Sequence, residues 1–381
     1  MVTFLLVFIT VYTTINYYLF RRGTQALSLI SKNAKLILGV IFIIPVFSYV
    51  AAKSLLVNSD SIFYDILLWL GSFWFAYLVY FLIFTLLIDE IRFVLRKTGR
   101  LKSISKETYS RIKLTLFVAV IFITSLLVVI GYNNANNIVL KTYEITIPKN
   151  SGNIEKLSVL FFSDSHFTPV NNGRIMNKII AIQDSVEPDL ILIAGDIIDD
   201  KSNNLKRYGI DDEMRKLKAK FGVYACNGNH EHIADTENAV DFLTSNGITV
   251  LADTFITINN SVQIIGREDR SITRFRESPR KPLGEILKNI NPDLPTILLD
   301  HQPFELEEAA KHGIDLQLSG HTHHGQIFPG NWITSLVYEV SYGFMKKLNT
   351  QYYVTSGVGT WGPPVRIGSD SEIVHFVIHF K

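Results

Sequence analysis

Leu157-Ser158-Val159-Leu160-Phe161-Phe162-Ser163-Asp164-Ser165-His166 is the stretch that decides the fold. A short apolar run bounded by turn residues reads as a buried strand, and this one delivers an aspartate and a histidine at its carboxyl end. The pattern recurs four times. Leu190–Ala194 leads into Gly195-Asp196-Ile197-Ile198-Asp199, and Gly222–Cys226 into Asn227-Gly228-Asn229-His230-Glu231. Thr296–Leu299 leads into Asp300-His301, and Asp315–Leu318 runs through Ser319 into Gly320-His321-Thr322-His323-His324-Gly325. Val262–Gly266, Tyr352–Thr355 and Ile373–Phe380 are further expected strands. Ile175, Ile179, Ile182 and Val186 recur at helical spacing, and segments near Met214–Phe221, Thr236–Ser245 and Phe304–Lys311 also read as helices. Such alternation predicts one α/β domain over residues 141–381, with helices covering the sheets.

Ends of adjacent strands converge at one sheet edge, so five clusters far apart in sequence can meet in space. Aspartate oxygen and imidazole nitrogen without thiolate suit Mn, Zn, Fe or Ni better than a soft metal. Glycines beside the polar residues permit tight turns and close backbone approach. Taken singly, each motif is weak: Gly-Asp-x-x-Asp can be a turn followed by a helix cap, and His-x-His is a thin metal pattern. Their coincidence, each after an apolar strand, is what carries the metal reading.

On these five signatures residues 139–381 resemble the calcineurin-like metallophosphoesterases. The ending Thr355-Ser356-Gly357-Val358-Gly359 through Pro364-Val365-Arg366 resembles a bacterial membrane-associated branch of that family. The resemblance implies a four-layer α/β/β/α sandwich with two divalent metals at the strand ends. It implies that Asp164, His166 and His323 hold one ion, that Asn229, His301 and His321 hold the other, and that Asp196 bridges them. His230 would lie outside the metal shell, near the leaving-group oxygen or a phosphate oxygen. One departure is His324, where the branch often has glycine; it would crowd or refine the pocket without removing a ligand. A carboxylate suits the bridge because it has two oxygens, while Asn229 and neutral imidazoles leave the ions strong Lewis acids. Asp199, Glu231 and Asp300 read as groups that orient ligands from behind or cap backbone.

The remainder of the chain has a different composition. Of 381 residues, 48% are hydrophobic and only 19% charged, and the apolar excess sits before residue 132. Four uncharged runs, Val2–Phe20, Leu36–Ala52, Ile66–Ile88 and Leu114–Gly131, are expected membrane spans (about 2–20, 36–52, 66–88 and 114–131) of an all-α domain over 1–132. Arg21–Arg22 follows the first run instead of preceding it, which argues against a cleavable leader or twin-arginine export signal. Loops 21–35 and 89–113 hold twelve basic residues and loop 53–65 holds one, Lys53. That asymmetry places the basic loops in the cytoplasm and everything after the fourth span outside it, in a plasma or inner membrane. The spans carry no ionisable group, so an anchor is favoured over a transporter. Asn133, Asn134, Asn136 and Asn137 mark a polar connector over 133–140.

The net charge of +2 excludes a strongly basic nucleic-acid binder, and no protein partner is implied. The lone Cys226 excludes an internal disulfide and reads as a buried small hydrophobe. Segment 267–281, with Arg267, Arg270, Arg274, Arg276, Arg280 and Lys281, reads as a solvated mixed-charge loop in preference to a phosphate or headgroup site. Trp332–Met345 is unusually apolar. Ile333, Val337, Val340 and Phe344 suggest one helical face closed by Lys346 and Lys347, packing either on the domain core or in the membrane interface. The expected function is a membrane-anchored dimetal phosphoesterase acting on a phosphoester or pyrophosphate, with a lipid-linked phosphate preferred. Alternatives are an enzyme like UDP-2,3-diacylglucosamine pyrophosphohydrolase, which the loop charges oppose, and a tethered phosphate-binding module with a decayed site.

Overall fold

In the computed structural model the apolar runs that end in polar clusters are strands of two six-stranded sheets. Residues 2–56, 61–171, 173–233, 236–275 and 279–381 are described. The strands are β1 (Ile138–Ile147), β2 (Lys156–Phe162), β3 (Leu190–Ala194), β4 (Val223–Cys226), β5 (Thr249–Val250), β6 (Thr254–Ile258), β7 (Val262–Gly266), β8 (Thr296–Leu299), β9 (Leu316–Ser319), β10 (Gly343–Lys347), β11 (Thr350–Val354) and β12 (Ser371–Phe380). One sheet has the order β1-β12-β2-β3-β4-β5, the other β10-β11-β9-β8-β7-β6. β2, β3 and β4 run parallel in the first, and β7, β8 and β9 run parallel in the second. Parallel strands covered on both faces read as continuous apolar runs, and β3 and β8 are buried along their whole length.

Three apolar cores define four layers. Leu157, Val159 and Phe161 of β2 meet Ile264, Ile297 and Leu316 between the sheets. Leu160 and Phe162 face the other way, onto Ile175 and Ile179 of the helix Gly173–Val186 and onto Phe242 of the helix Thr236–Ser245. Ile265 and Leu298 pack beneath Leu283, Leu306 and Ala309. The architecture is therefore α/β/β/α, as expected. Cys226 lies in the inter-sheet core, where burial raises its thiol well above the usual range.

Some local expectations fail for identifiable reasons. Met214–Phe221 is not a helix. The helix is Ile210–Met214, upstream, opened by Gly209 at φ 66° and favoured by Asp211, Asp212 and Glu213 in its first turn. Beyond it Leu217, Ala219 and Phe221 alternate with lysines, a period of two that suits extended chain. The polar connector expected over 133–140 has regular structure, holding the end of a long helix, Lys106–Ala135, and the start of β1. The Asn134 amide donates to the carbonyls of Arg366 (3.2 Å) and Ser369 (2.9 Å). Trp332–Met345 is split. A helix covers Gly330–Val337, but Phe344, Lys346 and Lys347 belong to β10, where Phe344 packs on Tyr143 and Tyr353.

The structure divides into two compact units, Met1–Gly131 and Tyr132–Lys381. The first is helical: α1 (Val2–Ala26), α2 (Lys32–Ala51), α3 (Ile62–Lys97) and α4, the helix Lys106–Ala135 just described. Among the described residues, three helices are long and apolar enough to cross a membrane: Lys32–Leu56, Ile62–Lys97 and Lys106–Ala135. The expected first span lies within α1, which is helical but is not one of these three. Ser31 and Ser61 cap α2 and α3 by accepting the amides of Ala34 and Phe63. Gly71 lets α3 approach α2 closely, since a Cβ there would collide with the Tyr49 backbone.

Candidate metal centre

β2, β3, β4, β8 and β9 all deliver their polar clusters at their carboxyl ends, and backbone hydrogen bonds lock the resulting turns together. The Asp164 amide donates to Gly195 (3.0 Å), the His166 amide to Asp196 (3.1 Å) and the Gly320 amide to His301 (2.9 Å). Asp164, His166, Asp196, His321 and His323 all have positive φ, between 44° and 71°. Non-glycine residues adopt that conformation at a cost, and such strain concentrates where side chains must be aimed. Gly228 and Gly320 permit the packing, because a Cβ on either would overlap the carboxylates of Asp196 or Asp164.

The chain brings the expected residues into two adjoining groups. Asp164, His166 and His323 form one, and Asp196, His301 and His321 the other, with ligand atoms in each group within 4.8 Å of one another. In the first, His166 Nε2 lies 3.0 Å from His323 Nε2, and His323 Nε2 lies 3.4 Å from Asp164 Oδ1. Asp196 Oδ1 accepts the His230 amide at 2.8 Å. Its Oδ2 stands 3.1 Å from His301 Nε2 and 3.8 Å from His166 Nε2, so one carboxylate oxygen faces both groups. Donors about 2.0–2.2 Å from a common ion stand roughly 3–3.5 Å apart at near-tetrahedral or octahedral angles, which the 3.0, 3.1 and 3.4 Å separations fit and the 3.8 Å one slightly exceeds. Asn229 opens the helix Asn229–Ile233, and its Oδ1 is buried without a hydrogen-bond partner, while His301 Nε2 faces the Asp196 carboxylate. A buried acceptor left this way has the chemistry of a metal donor. His301 Nδ1 is within 2.6 Å of the Ala194 carbonyl, which fixes the proton there and turns Nε2 toward the site.

Electrostatics favour the same use. Burial drives the imidazoles of His166 and His321 down to about 3 and about 4, helped by the charges of His230 and His301 respectively. Burial, with His166 and Arg366, holds His323 well below its usual value. All three are neutral lone-pair donors near pH 7. Burial opposes protonation of His301 as well, but the adjacent Asp196 carboxylate outweighs it and raises that imidazole well above its usual value. For Asp164, burial pushes the carboxyl up to about 6, against the pull of His301. Asp196 is kept ionised, because its cationic neighbours His301 and His230 overcome burial.

The supporting groups are equally specific. Glu231 is fully buried and accepts four backbone amides: Asp196 (2.9 Å) and Gly228 (2.7 Å) on one oxygen, Ile197 (2.7 Å) and Ile198 (3.1 Å) on the other. It ties the β3 and β4 turns into one piece. Asp199 Oδ1 lies 2.7 Å from His230 Nδ1, and its other oxygen 3.7 Å from His166 Nδ1. Burial would lower His230, yet Asp196 and Asp199 raise it to about 9. Asp300 does not reach the ligands; it pairs with Arg267 (3.1 Å) and Arg280 (3.0 Å). This corrects the expectation of a solvated loop over 267–281. Arg267 and Arg280 are drawn inward by a buried carboxylate, whereas Arg270 pairs with Glu305 near the surface, and Arg276 falls outside the described residues. The half-buried His324 ring lies tilted against Tyr342, 4.7 Å between ring centres.

Two contributors are not foreseen from sequence. Arg366 is fully buried; it donates to the carbonyls of Ser356 (2.6 Å) and Gly359 (2.7 Å) and stands 3.3 Å from His323 Nδ1. It fastens the segment after β11 beneath a site histidine; the sequence marks it only as a lone cation ending the Thr355–Arg366 motif, without its role. Trp361, 57% exposed, lies 6.1 Å from the His230 ring, ring centre to ring centre.

Comparison with known proteins gives a consistent placement. The calcineurin-like phosphoesterase family matches residues 157–325. An uncharacterized metallophosphoesterase of Aquifex aeolicus is 32% identical over 250 residues, covering 64% of this chain and 95% of its own. Another from Helicobacter pylori is 31% identical over 223 residues, 58% of this chain and 59% of its own, so the chain spans little more than half that relative. A Bos taurus protein described as a transmembrane protein with metallophosphoesterase domain is 29% identical over 273 residues, 68% of this chain and 61% of its own. With its acids and histidines gathered at the carboxyl ends of strands from both sheets, this chain belongs to the calcineurin-like metallophosphoesterases.

Proposed function

We propose that the protein is a membrane-tethered phosphoesterase that uses two divalent ions. In this proposal it hydrolyses a phosphoester or pyrophosphate bond of a lipid-linked substrate at the extracytoplasmic surface. The observation that carries the dimetal reading is Asp196, whose Oδ2 faces His301 on one side and His166 on the other. Asp164, His166 and His323 would hold one ion, Asn229, His301 and His321 the second, and Asp196 both. When bound, such a pair supplies Lewis acidity toward phosphate oxygens and a water acidic enough to attack near neutral pH. The identity of the metals, among Mn, Zn, Fe and Ni, is left to measurement.

The chain's own groups do the remaining work. Asp196 holds the two ligand sets in one register, and Glu231 keeps the turns bearing Asp196 and Asn229 from moving apart. Asp199 anchors His230 through Nδ1, which leaves Nε2 to donate a proton or hydrogen bond to the departing oxygen. His230 needs no place among the metal ligands for that role.

Support for a lipid-linked substrate comes from the helix Gly330–Val337, which has no buried residue. Trp332 is 62% and Leu336 88% exposed, with Ile333 and Val337 beside them, and Phe328 meets Trp332 edge to face at 4.8 Å between ring centres. Exposed aromatic and aliphatic side chains clustered on one helix suit a membrane interface better than water. The twelve-to-one basic asymmetry of the loops supports the extracytoplasmic side. Hydrolysis assays in detergent, run over lipid phosphates, nucleotides and model diesters with each candidate metal, test the proposal. Metal-dependent turnover fastest on lipid substrates agrees with it; turnover without added or bound metal contradicts it.

A further inference from the structure

Within the first unit the four helices line a half-open cleft of about 650 Å3, a size typical of small-ligand sites. Its walls are almost wholly apolar along most of the length: Phe20, Phe42, Phe73, Trp74, Phe117 and Val120 are representative. One end is different. Arg22, Lys35, Arg92 and Lys113 line it together with a single acid, Asp89. Asp89 is already engaged by Arg22 at 2.5 Å and Arg92 at 3.7 Å, and it also accepts the Tyr18 hydroxyl. The Lys113 ammonium is held in place by the Gln25 carbonyl at 2.8 Å. Four cations against one anion leave this mouth strongly positive where helix ends meet.

Loop charge alone satisfies the topology rule, and it does not require cations on the walls of a cleft. A long apolar slot with a cationic mouth is complementary to an anionic amphiphile. A neutral lipid would leave four cations balanced by one carboxylate, since the other hydrogen-bond acceptors of Arg22 and Lys113 are uncharged oxygens of Gln25 and Ser28. We propose that the membrane unit holds one anionic phospholipid, its acyl chain in the slot and its phosphate at the Arg22, Lys35, Arg92 and Lys113 mouth. The site is separate from the strand-end acids and histidines, and the proposal does not depend on the catalytic reading. Gly39 lines the slot, and a Cβ there would meet the Phe20 ring at an ordinary 3.6 Å, so a larger side chain would enter the space meant for the acyl chain.

Delipidated full-length protein in a neutral maltoside detergent would be titrated with phosphatidylglycerol or phosphatidylcholine of identical acyl chains, read by native mass spectrometry and thermal melting. A single phosphatidylglycerol adduct is expected at concentrations where phosphatidylcholine leaves the protein bare, with a higher melting temperature for the anionic lipid only. Lys35→Gln with Lys113→Gln should weaken the anionic adduct about tenfold or more, from the loss of two headgroup-facing charges. Gly39→Leu should abolish the adduct while the melt in bare detergent stays cooperative. If Gly39→Leu does not fold, the lysine variant decides. Equal retention of both lipids, or an undiminished preference in the lysine variant, would overturn the proposal and reduce the cleft to a gap that any bilayer chain fills.

Discussion

Glu231 illustrates how much the site depends on one side chain that need never touch a substrate. Its two oxygens take four buried amides. In Glu231→Gln an amide nitrogen replaces one acceptor, so two of those N–H groups lose their partner at about 1–3 kcal/mol each. Melting should register the loss, and metal titration should show affinity weakened about 10–100-fold, as when a ligand's supporting group is removed. His230 is predicted to behave differently. His230→Ala should lower the catalytic rate about 10²–10⁴-fold with metal content unchanged; loss of metal in that variant would mean the role is misassigned. The proposed ligands stand out in the sequence because each is a polar residue near the end of an apolar run, while their assignment to two ions is implied by the family resemblance. Glu231 is expected from sequence to cap backbone or orient ligands, but its partners are not legible, since a run such as Asn227-Gly228-Asn229-His230-Glu231 cannot reveal that its carboxylate reaches the amides of Asp196 to Ile198. Arg366 escapes for the same reason: its partners are carbonyls, which no side-chain pattern marks.

Elements follow a comparable rule. The strands read from sequence are all interior ones, such as β2, β3, β7 and β8, whose residues are largely buried and apolar. The four that go unread, β1, β5, β6 and β10, are the four sheet edges. An edge strand has one flank in solvent, so its apolar signal is thin and broken, as in Gly343–Lys347 with its two lysines. That explains why Phe344 and the lysines read as the continuation of a helix. The helix Gly330–Val337 that does form carries the exposed apolar face. Replacing Trp332 and Leu336 together by Ser should lower turnover of a lipid phosphate in mixed micelles by about tenfold or more, since each side chain contributes ~1.5–3 kcal/mol when buried. Hydrolysis of a small water-soluble diester should be unchanged. Equal loss on both would make the helix structural and remove the main support for a lipid substrate.

For the whole molecule, the division into a membrane unit and an α/β unit is legible from composition alone, because apolar excess and polar strand-end clusters occupy different halves of the chain. Sidedness rests on loop charge. A reporter fused after Lys381 is predicted to be active only outside the cytoplasm, and activity confined to the cytoplasm would reverse the orientation. Two bound ions are the central claim, and elemental analysis of purified, active, full-length protein beside its Asp196→Asn variant tests it most directly. The wild type should carry two divalent ions per chain. The variant should lose tightly held metal and turnover together while melting as a folded protein. One ion or none in active wild-type protein, or two retained by Asp196→Asn, would contradict the account.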